Sequence, residues 1–348
     1  MSGQKPQSKI QSQNFVLKNE NIDITKINPI ILTNNHDMQV ALHNAKNIAD
    51  IDSNVLITGE TGVGKELLAI LIHNDSLRKS RKCLKVNCAA IPDSLFESEA
   101  FGHLKGAFTG ASADRAGFFE EADKSTLILD EIGELPLHNQ AKLLRIIQDK
   151  EVRRLGGSKT IQLDFRLICI TNRDLKEEIK NKNFRDDLFY RINECEIQIP
   201  ALRDRKEDFL PLIFYFINKY NLLYKKQIKT VNYELAERLL LYRWPGNVRE
   251  FEHTIKKLIR EQQGDELTPE NLPQEILSVA VQNQSSVSLT EELKTSGLMK
   301  DIMNDFQKKI VIDALSSCYG SRTEAAQKLG ITKEHISRLI KKYDIQMD

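Results

Sequence analysis

Cysteine is scarce in this sequence, and its placement excludes two kinds of cysteine-based site. The five cysteines among 348 residues, Cys83, Cys88, Cys169, Cys195 and Cys318, are scattered and form no C-x-x-C pair. An odd, scattered set indicates neither a disulfide framework nor a zinc site. We therefore expect reduced, buried thiols.

Long hydrophobic runs are also missing. The longest extends from Phe209 to Ile217 and is interrupted by Pro211. It is far shorter than the roughly 20 residues that a helix needs to span a bilayer. The N-terminus is polar and has no apolar signal region. We therefore expect a cytoplasmic protein with no membrane partner.

An excess of charge of one sign is the third absence. The 50 Lys and Arg residues nearly balance the 49 Asp and Glu residues, so the net charge is +1. No whole-chain field favours nucleic acid or a membrane, and any basic site must be local. The 41% apolar and 28% charged content is typical of a globular protein. A chain of 348 residues has room for two or three domains.

Composition and periodicity divide the chain into five parts. Residues 1–32 are polar and aperiodic, which predicts a flexible tail. Residues 33–203 predict an α/β core, because helical stretches alternate with short apolar strands. Residues 204–275 predict a helical domain without strands, residues 276–298 a linker, and residues 299–348 a last helical unit. The expected strands of the parallel sheet are 54–58, 83–87, 126–129 and 166–171, and the expected helices after it are 208–220, 233–242 and 248–262.

The first candidate site follows the strand at 54–58. It consists of Gly59, Glu60, Thr61, Gly62, Val63, Gly64 and Lys65, and a helical run comes next. In this context the residues predict a phosphate-binding loop, in which backbone N–H groups surround phosphate oxygens and Lys65 contacts the β- and γ-phosphates. A glycine-rich turn is the alternative. Glu66 stands where most such loops place the Ser or Thr that contacts magnesium.

Two acidic residues end the strand at 126–129 and predict the second half of the same site. Parallel strands present such side chains at the carboxyl edge of the sheet, where ligands bind. Asp130 would hold magnesium through water, and Glu131 would act as the general base on the attacking water. A surface turn after a core strand is the alternative, but the upstream phosphate loop favours an ATP site.

Two further strands end in short polar side chains. Asn87 follows one, and Asn172 follows another. In a parallel sheet both would lie beside Glu131. Asn87 would hydrogen-bond Glu131 and control its aim, and Asn172 would hold the γ-phosphate or the water. Each side chain could instead cap its strand.

The segment FGHLKGAFTGA at 101–111 has a different character. It contains three glycines and two phenylalanines but no pair of groups suited to acid–base chemistry. It lies between the phosphate loop and the acidic strand. This pattern indicates a mobile loop whose tip touches a partner while the nucleotide chemistry takes place elsewhere.

Seven motifs in order carry a resemblance to a known family. GETGVGKE, FGHLKGAFTGA, LILDEIGEL, RRLGG, TNRDL, FRDDLFYRI and WPGNVREFE resemble the motifs of bacterial enhancer-binding proteins, the AAA+ activators of sigma-54 RNA polymerase. The resemblance covers about residues 33–275 and the C-terminal unit, and the family's phosphate loop normally ends in GKE. It implies an AAA+ core with an α-helical lid that hydrolyses ATP with Mg²⁺. It also implies assembly into a ring, usually a hexamer, with ATP between neighbouring subunits.

The resemblance also implies roles for particular residues. Arg185 and Arg191 match the arginine fingers, and Arg249 matches the second sensor in the first turn of a lid helix. The alternatives are surface ion pairs with Asp186 and Asp187 for the first two, and a solvated side chain in a capping turn for Arg249. The residues that contact sigma-54 in the family correspond to Gly106, Ala107, Phe108, Thr109, Gly110 and Ala111, with Phe108 and Thr109 making the contact.

Leu104 departs from the family pattern. The family usually has a Glu at this position, which helps to hold the loop. Leu104 can neither accept a hydrogen bond nor pair with a cation. How the loop is held in this chain therefore has to differ from the family, although the tip is intact.

The C-terminal unit predicts a helix, a turn and a helix. Thr323 begins the first helix, Gly330 ends it, and Thr332 caps the second. Six Lys or Arg residues stand against two Glu residues from 322 to 343, which suits phosphate contacts around a recognition helix in the major groove. The segment resembles the Fis-type helix-turn-helix of the same activators, which implies dimeric binding to palindromic enhancer DNA; a basic helical hairpin is the alternative. The candidate DNA contacts are Arg322, Thr323, Thr332, Lys333, His335, Arg338, Lys341 and Lys342.

The sequence therefore predicts a sigma-54-dependent transcriptional activator, against two alternatives. A DNA-binding regulator that has lost ATPase coupling would lack Glu131, the arginine pair or the GAFTGA tip, and all are present. An AAA+ remodeller of another class, such as a replication-initiation ATPase, would lack residues 106–111.

Overall fold

The computed structural model of the chain describes residues 31–278, 308, 311–312, 314–315, 318, 320–328 and 333–345. The predicted tail at 1–32 and the predicted linker at 276–298 fall almost entirely outside these residues. The start of the last helical unit at residue 299, as well as Gly330 and Thr332, also lies outside them. Across the described ranges, no helix is both long enough and apolar enough to cross a bilayer.

The strands and helices of the described residues are numbered here in chain order. The strands are β1 (Val55–Thr58), β2 (Cys83–Asn87), β3 (Gly102–His103), β4 (Arg115–Ala116), β5 (Thr126–Asp130), β6 (Glu151–Arg153), β7 (Thr160–Gln162), β8 (Arg166–Thr171), β9 (Cys195–Gln198), β10 (Thr230–Val231) and β11 (Glu266–Leu267). The α-helices are α1 (His36–Ala49), α2 (Lys65–Asn74), α3 (Asp93–Phe101), α4 (Phe118–Glu121), α5 (Leu137–Asp149), α6 (Leu175–Lys180), α7 (Asp186–Ile192), α8 (Phe209–Tyr224), α9 (Tyr233–Leu241), α10 (Asn247–Glu261), α11 (Gln274–Leu277), α12 (Arg322–Lys328) and α13 (Lys333–Lys342). Short 3-10 helices occur at Cys88–Ala90, Ile132–Glu134, Leu202–Asp204, Lys206–Asp208 and Pro269–Asn271.

Five parallel strands form the central sheet, in the order β2-β5-β8-β1-β9. The inner strands are apolar because helices cover both of their faces. Ile57 and Ile128 pack with α1 and α2 on one face. Leu56 and Leu127 pack with residues of α3 to α7 on the other. The parallel α/β core expected from the sequence is confirmed.

The register of the sheet brings the carboxyl ends of its strands to one edge. Thr58 at the end of β1 pairs with Thr171 of β8 and with Gln198 of β9. Asn87 at the end of β2 pairs with Asp130 of β5. The segments that follow these strands therefore start side by side, which is where open α/β sheets bind their ligands.

The sequence did not predict β9 or any of the two- and three-residue strands outside the central sheet. The strand β9 has a buried Ile197 between exposed Glu196 and Gln198, so this edge strand lacks the apolar run that marks the inner strands. In the stretch 204–272, where no strand was expected, β10 and β11 pair in parallel. Each has two residues, which is too short to leave a periodic pattern.

Helices α8 to α11 pack around a second apolar core. Trp244 and Phe251 are fully buried there, with ring centroids 4.8 Å apart at a near-perpendicular angle. The Trp244 Nε1–H donates to the Leu239 carbonyl at 2.7 Å, so the buried indole keeps a partner for its polar group. The three helices expected in this part are confirmed, although α8 continues to Tyr224.

Helices α12 and α13 share a third apolar cluster. Ala325 and Ala326 of α12 pack with Ile336 and Ile340 of α13. The first of these helices begins at Arg322, one residue before the Thr323 predicted to start it. The alternation of buried and exposed residues along α13 follows the period of an amphipathic helix.

Asp208 ties the chain that enters α1 to the start of α8. Its carboxylate accepts hydrogen bonds from the backbone N–H groups of Asn34 at 2.6 Å and Asn35 at 3.1 Å, and from Thr33 Oγ1 at 2.8 Å. Asp208 is fully buried, so these donors replace the water that its carboxylate loses. This contact links the α/β core to the helical part that follows it.

We expect Asp208→Ala to lower the free energy of unfolding by about 3 kcal/mol, because three donors lose their acceptor. For a protein part of this size, the Tm should fall by roughly 6–12 °C. Asp204→Ala is the matched control, since this exposed carboxylate is expected to contribute less than about 0.5 kcal/mol. Thermal unfolding followed by circular dichroism measures both, and equal Tm values for the two variants would contradict the assignment.

Candidate functional site

The predicted phosphate loop connects the end of β1 to α2. Lys65 is the first residue of α2, and its Nζ donates to the carbonyls of Gly59 at 2.7 Å and Glu60 at 2.9 Å. Burial lowers the pKa of Lys65, and the charges of Glu131 and Asp130 oppose that shift. The loop thus folds around its own lysine, with the helix N-terminus aimed at the same space.

The two predicted acidic residues end β5 at the same edge of the sheet. The Glu131 N–H donates to Asp130 Oδ1 at 3.1 Å. Glu131 has a φ of 54°, in the left-handed region that a residue with a Cβ rarely adopts. Its Oε2 is buried, and no donor among the described residues reaches it. A strained backbone and an unpaired buried carboxylate oxygen are typical of a residue held for function.

A cavity of about 220 Å³ unites the phosphate loop, the acidic pair and α10. Lys65, Asp130, Glu131 and Arg249 all line it. Among the predicted nucleotide-binding residues, Thr61, Gly62, Gly64 and Glu66 line it as well. These residues are far apart in the sequence and were predicted to form one ATP site. They are neighbours in the structure.

Asn87 and Asn172 lie at the edge of the sheet but do not line this cavity. Asn87 Oδ1 accepts a hydrogen bond from the Ala89 N–H at 3.0 Å, which is a cap of the short helix after β2. The expected bond from Asn87 to Glu131 is not among the hydrogen bonds of the described residues. Asn172 Nδ2 donates to Thr61 Oγ1 at 3.0 Å, which places Asn172 against the phosphate loop.

A clamp between the phosphate loop and the helical part was missed by sequence reasoning. Arg203 donates two hydrogen bonds to the Glu60 carboxylate, at 2.5 and 2.8 Å. The buried Asn247 donates to Glu60 Oε2 at 3.1 Å and to the Thr61 carbonyl at 3.0 Å, and accepts from the Leu202 N–H. The hydrogen bonds from Arg203 and Asn247 lower the pKa of Glu60 to about 2. Asn247 lies inside the WPGNVREFE motif, so the motif was the available signal.

Gly62 allows the phosphate loop to approach the first turn of α10. Its φ is +81°, and a Cβ added there would lie 2.3 Å from the Gly246 carbonyl oxygen. The Arg249 N–H donates to the Gly62 carbonyl at 3.2 Å. The exposed Arg249 side chain thus projects from a turn that is bonded directly to the phosphate loop.

The predicted arginine fingers lie on and beside α7, outside the cavity. Arg185 is exposed and makes two hydrogen bonds to the Asp187 carboxylate, at 3.0 and 2.7 Å. The ion pair that was the alternative for Arg185 is therefore present within the single chain. Arg191 is exposed in the last turn of α7, and its carbonyl accepts from Asn54 Nδ2.

The loop at residues 106–111 stands on the short β3–β4 hairpin. Phe108 is 42% exposed, and its ring meets that of His103 edge-on at 5.0 Å. Ser98 Oγ and His103 Nδ1 lie 2.8 Å apart, which fixes that imidazole. Thr109 and Gly110 are exposed, while Ala111 is buried. The tip of the loop therefore presents an aromatic ring and a hydroxyl away from the ATP cavity, as neither lines it.

Leu104 holds this loop through backbone and apolar contacts. The Leu104 N–H donates to the Leu155 carbonyl at 3.0 Å, and the Leu155 N–H donates to Gly102 at 2.9 Å. The Leu104 side chain lies over Gly157, where an added Cβ would be 3.3 Å from Leu104 Cδ1. The loop thus rests on the RRLGG segment, and an apolar contact stands where the family has a carboxylate.

The predicted DNA-contacting residues lie on α12 and α13. Arg322, Thr323, Lys333, Arg338, Lys341 and Lys342 are exposed. The side chain of His335 and all of Thr332 lie outside the description. Lys342 Nζ donates to the Tyr343 hydroxyl at 2.7 Å. One face of α13 is therefore basic while Ile336 and Ile340 are buried.

The carboxylate oxygens of Asp130 and Glu131 at the edge of the sheet fit magnesium bound together with ATP. Mg²⁺ is usually held by one or two protein carboxylates together with substrate phosphates, rather than by a complete cage of protein ligands. Asp130 and Glu131 supply carboxylates beside the loop that would hold those phosphates. Asp130 is the candidate ligand, because it ends β5 at the edge of the sheet and lines the same cavity as the phosphate loop.

Two family models match the chain. The sigma-54 interaction domain matches residues 31–198, and the AAA+ ATPase lid domain matches residues 203–289. The lid match begins at residue 203, inside the 3-10 helix Leu202–Asp204. This start is close to the boundary at 203 expected from the sequence.

Several curated proteins are similar over most of the chain. The regulatory protein AtoC of Escherichia coli is 41% identical over 319 residues, which are 90% of this chain and 68% of that protein. The transcriptional regulatory protein FlbD of Caulobacter vibrioides is 39% identical, covering 88% and 68%. The formate hydrogenlyase transcriptional activator of Salmonella typhimurium is 40% identical, covering 91% of this chain but only 45% of its own length.

A solved structure shares the fold. NtrX from Brucella abortus in complex with ATP is similar with a TM-score of 0.65 and 27% identity, over 90% of this chain and 69% of that one. Its complex with ADP gives a TM-score of 0.67.

We expect Gly62→Ala to weaken ATP binding at least tenfold, because the new Cβ would push the phosphate loop away from Gly246 and strain the backbone. Gly264→Ala is the control, since its nearest atom lies 3.7 Å away. Titration with a fluorescent ATP analogue measures both affinities. Equal affinity for Gly62→Ala and the wild type would show that the close contact is not needed.

Proposed function

The chain belongs to the sigma-54-dependent transcriptional activators, and on that premise we propose that it uses ATP hydrolysis to remodel a closed promoter complex of sigma-54 RNA polymerase. The observation that carries the proposal is one cavity that unites Lys65, Asp130, Glu131 and Arg249, while the loop at 106–111 presents its tip elsewhere. Hydrolysis and output would thus be separate in space but belong to one α/β core.

The chemistry of the cavity follows from its side chains. Lys65 would bind the β- and γ-phosphates, with the N-terminus of α2 adding positive potential. Glu131 Oε2 would accept a proton from water as the water oxygen bonds to the γ-phosphorus and the bond to ADP breaks. Magnesium, held by Asp130 with the phosphates, would neutralise charge on the phosphate oxygens. The buried Oε2 without a donor supports this role, because it is free to accept a proton.

Assembly would complete the site. The exposed Arg185 and Arg191 would reach the γ-phosphate of a neighbouring subunit in a ring, where a planar guanidinium stabilises the charge of the transition state. Arg185 would first have to break its ion pair with Asp187. An exposed ion pair contributes little free energy, so this step costs little. Arg249 would report the state of the phosphates to α10 through its backbone bond to Gly62. A homo-oligomer up to a hexamer is therefore part of the proposal.

The output would run through the loop tip. Phe108 and Thr109 are exposed, which suits contact with sigma-54. The contacts from Leu104 and Ala107 to the RRLGG segment would move the tip when the core changes shape. The apolar Leu104 contact, together with the bond from the Lys105 N–H to Asp114 Oδ1 at 2.8 Å, supports a loop that is docked on the core.

DNA binding would fall to the C-terminal helices. The exposed Lys333, Arg338, Lys341 and Lys342 of α13 suit phosphate and base contacts in a major groove. The buried cluster that includes Ile336 and Ile340 supports a packed helical unit. We propose that residues 299–348 bind enhancer DNA upstream of the promoter, as a dimer on palindromic half-sites.

We expect Thr109→Ala to keep ATP turnover and to lose at least tenfold in promoter opening, because an exposed loop tip can contact sigma-54 without contributing to the ATP cavity. The assay combines purified protein, sigma-54 RNA polymerase and a sigma-54 promoter, with permanganate footprinting to detect opened DNA and phosphate release to measure turnover.

Glu131→Gln is the matched variant that tests ATP hydrolysis, whereas Thr109→Ala tests the contact with sigma-54. It should bind ATP with unchanged affinity but lose both turnover and opening, since an amide cannot take the proton from water. Normal turnover by Glu131→Gln would remove the base assignment, and normal opening by Thr109→Ala would remove the loop assignment.

A further inference from the structure

A lysine stands between the phosphate loop and the acidic strand. Lys85 lies in the middle of β2, and its Nζ is 2.8 Å from Glu66 Oε2 and 3.2 Å from Asp130 Oδ2. Its side chain is only 23% exposed. Sequence reasoning did not select Lys85, because nothing in its neighbourhood along the chain marks it.

Both carboxylates favour the charged form of Lys85. Burial alone would lower the pKa of Lys85, but the hydrogen bond and charge of Glu66, with those of Asp130, outweigh it and raise the pKa. Lys65 and Glu131, which line the same cavity as Glu66 and Asp130, add a second ammonium and a third carboxylate nearby.

The two partners of Lys85 occupy particular positions. Phosphate-loop ATPases commonly hold magnesium with the residue after the loop lysine and with the Asp that ends the acidic strand. In this chain those positions are Glu66 and Asp130. The Lys85 ammonium lies at hydrogen-bonding distance from the carboxylates of both.

We propose that Lys85 is a positioning residue that occupies Asp130 and Glu66 until nucleotide arrives, so that Mg²⁺ binds with ATP and not alone. The proposal rests on the proposed magnesium site. A cation beside two carboxylates cancels most of the attraction that they would exert on free Mg²⁺. The phosphates of ATP supply the further oxygen ligands and negative charge that make the metal bind in spite of the ammonium.

A purely structural ion pair makes a different prediction. Removing a structural pair would lower the stability of the chain and leave its affinity for free Mg²⁺ unchanged. Removing Lys85 under this proposal takes away the ammonium that lies 2.8 Å from Glu66 Oε2 and 3.2 Å from Asp130 Oδ2, so the two carboxylates should attract a divalent ion more strongly. The affinity for Mg²⁺ without nucleotide separates the two.

The experiment measures Mg²⁺ binding to the nucleotide-free full chain by isothermal titration calorimetry. Lys85→Met should bind Mg²⁺ at least tenfold more tightly than the wild type, and the Tm of the variant should rise with MgCl₂ while that of the wild type does not. Lys85→Arg keeps the charge and should remain within about threefold of the wild type. Lys82→Met is the matched control, because this exposed lysine stands just before the same strand.

A second neutral variant keeps the test valid if Lys85→Met does not fold. Lys85→Gln keeps a hydrogen-bond donor for Asp130 and should show the same gain in Mg²⁺ affinity, with folding checked by circular dichroism. Wild-type Mg²⁺ affinity in folded Lys85→Met or Lys85→Gln would overturn the proposal.

ATP binding by the wild type, measured with and without Mg²⁺, tests the proposed magnesium site separately from the proposed role of Lys85. An ATP affinity that rises with Mg²⁺ in the wild type supports the magnesium site. If that dependence is present and the Lys85 variants still bind free Mg²⁺ like the wild type, only the role of Lys85 fails. If ATP affinity is insensitive to Mg²⁺, the magnesium site fails and the role of Lys85 with it.

Discussion

The parallel register of the central sheet is the constraint on which the site depends. Because β1, β5 and β8 run in one direction and their ends are paired, the phosphate loop, Glu131 and Asn172 emerge at one edge. The side chains of the cavity therefore start close to one another at this edge. The glycines of the phosphate loop allow it to curl beside Asp130 and Glu131. The strain at Glu131 is tolerated because buried strands fix the backbone on one side of it.

Three segments are attached to this edge, and each would report on the same phosphates. The helical part is clamped through Glu60, Arg203 and Asn247. The loop at 106–111 follows the α3–β3 segment and rests on Leu155 and Gly157. In the proposed ring, the surface of α7 would carry the exposed Arg185 and Arg191 toward a neighbour. Under the proposed function, a small movement at the phosphates would therefore reach the lid, the loop tip and the next subunit through direct contacts.

The inner strands and the ATP-site residues were predictable because they follow local rules. Apolar runs identify the inner strands β1, β5 and β8 and also the edge strand β2, and a glycine-rich loop between strand and helix identifies Lys65. The edge strand β9 was not predictable, because Glu196 and Gln198 face solvent and break the apolar run.

Other features depend on packing that no local pattern records. The bond of Lys85 to Asp130 arises only when β2 pairs with β5, and its bond to Glu66 arises only when α2 lies against the sheet. The clamp on Glu60 requires the first turn of α10 to approach the phosphate loop, which Gly62 permits. The replacement of a carboxylate by Leu104 was visible in the sequence, but its compensation by Gly157 was not.

The central claim is that the loop tip touches sigma-54 in a step set by the nucleotide. A photo-crosslinking amino acid at position 108 tests this directly, in the purified chain mixed with sigma-54 RNA polymerase on a promoter. The account predicts crosslinks to sigma-54 with a transition-state analogue of ATP hydrolysis, and few with ADP or without nucleotide. Crosslinks of equal yield in all three states, or no crosslink to sigma-54 in any of them, would contradict it.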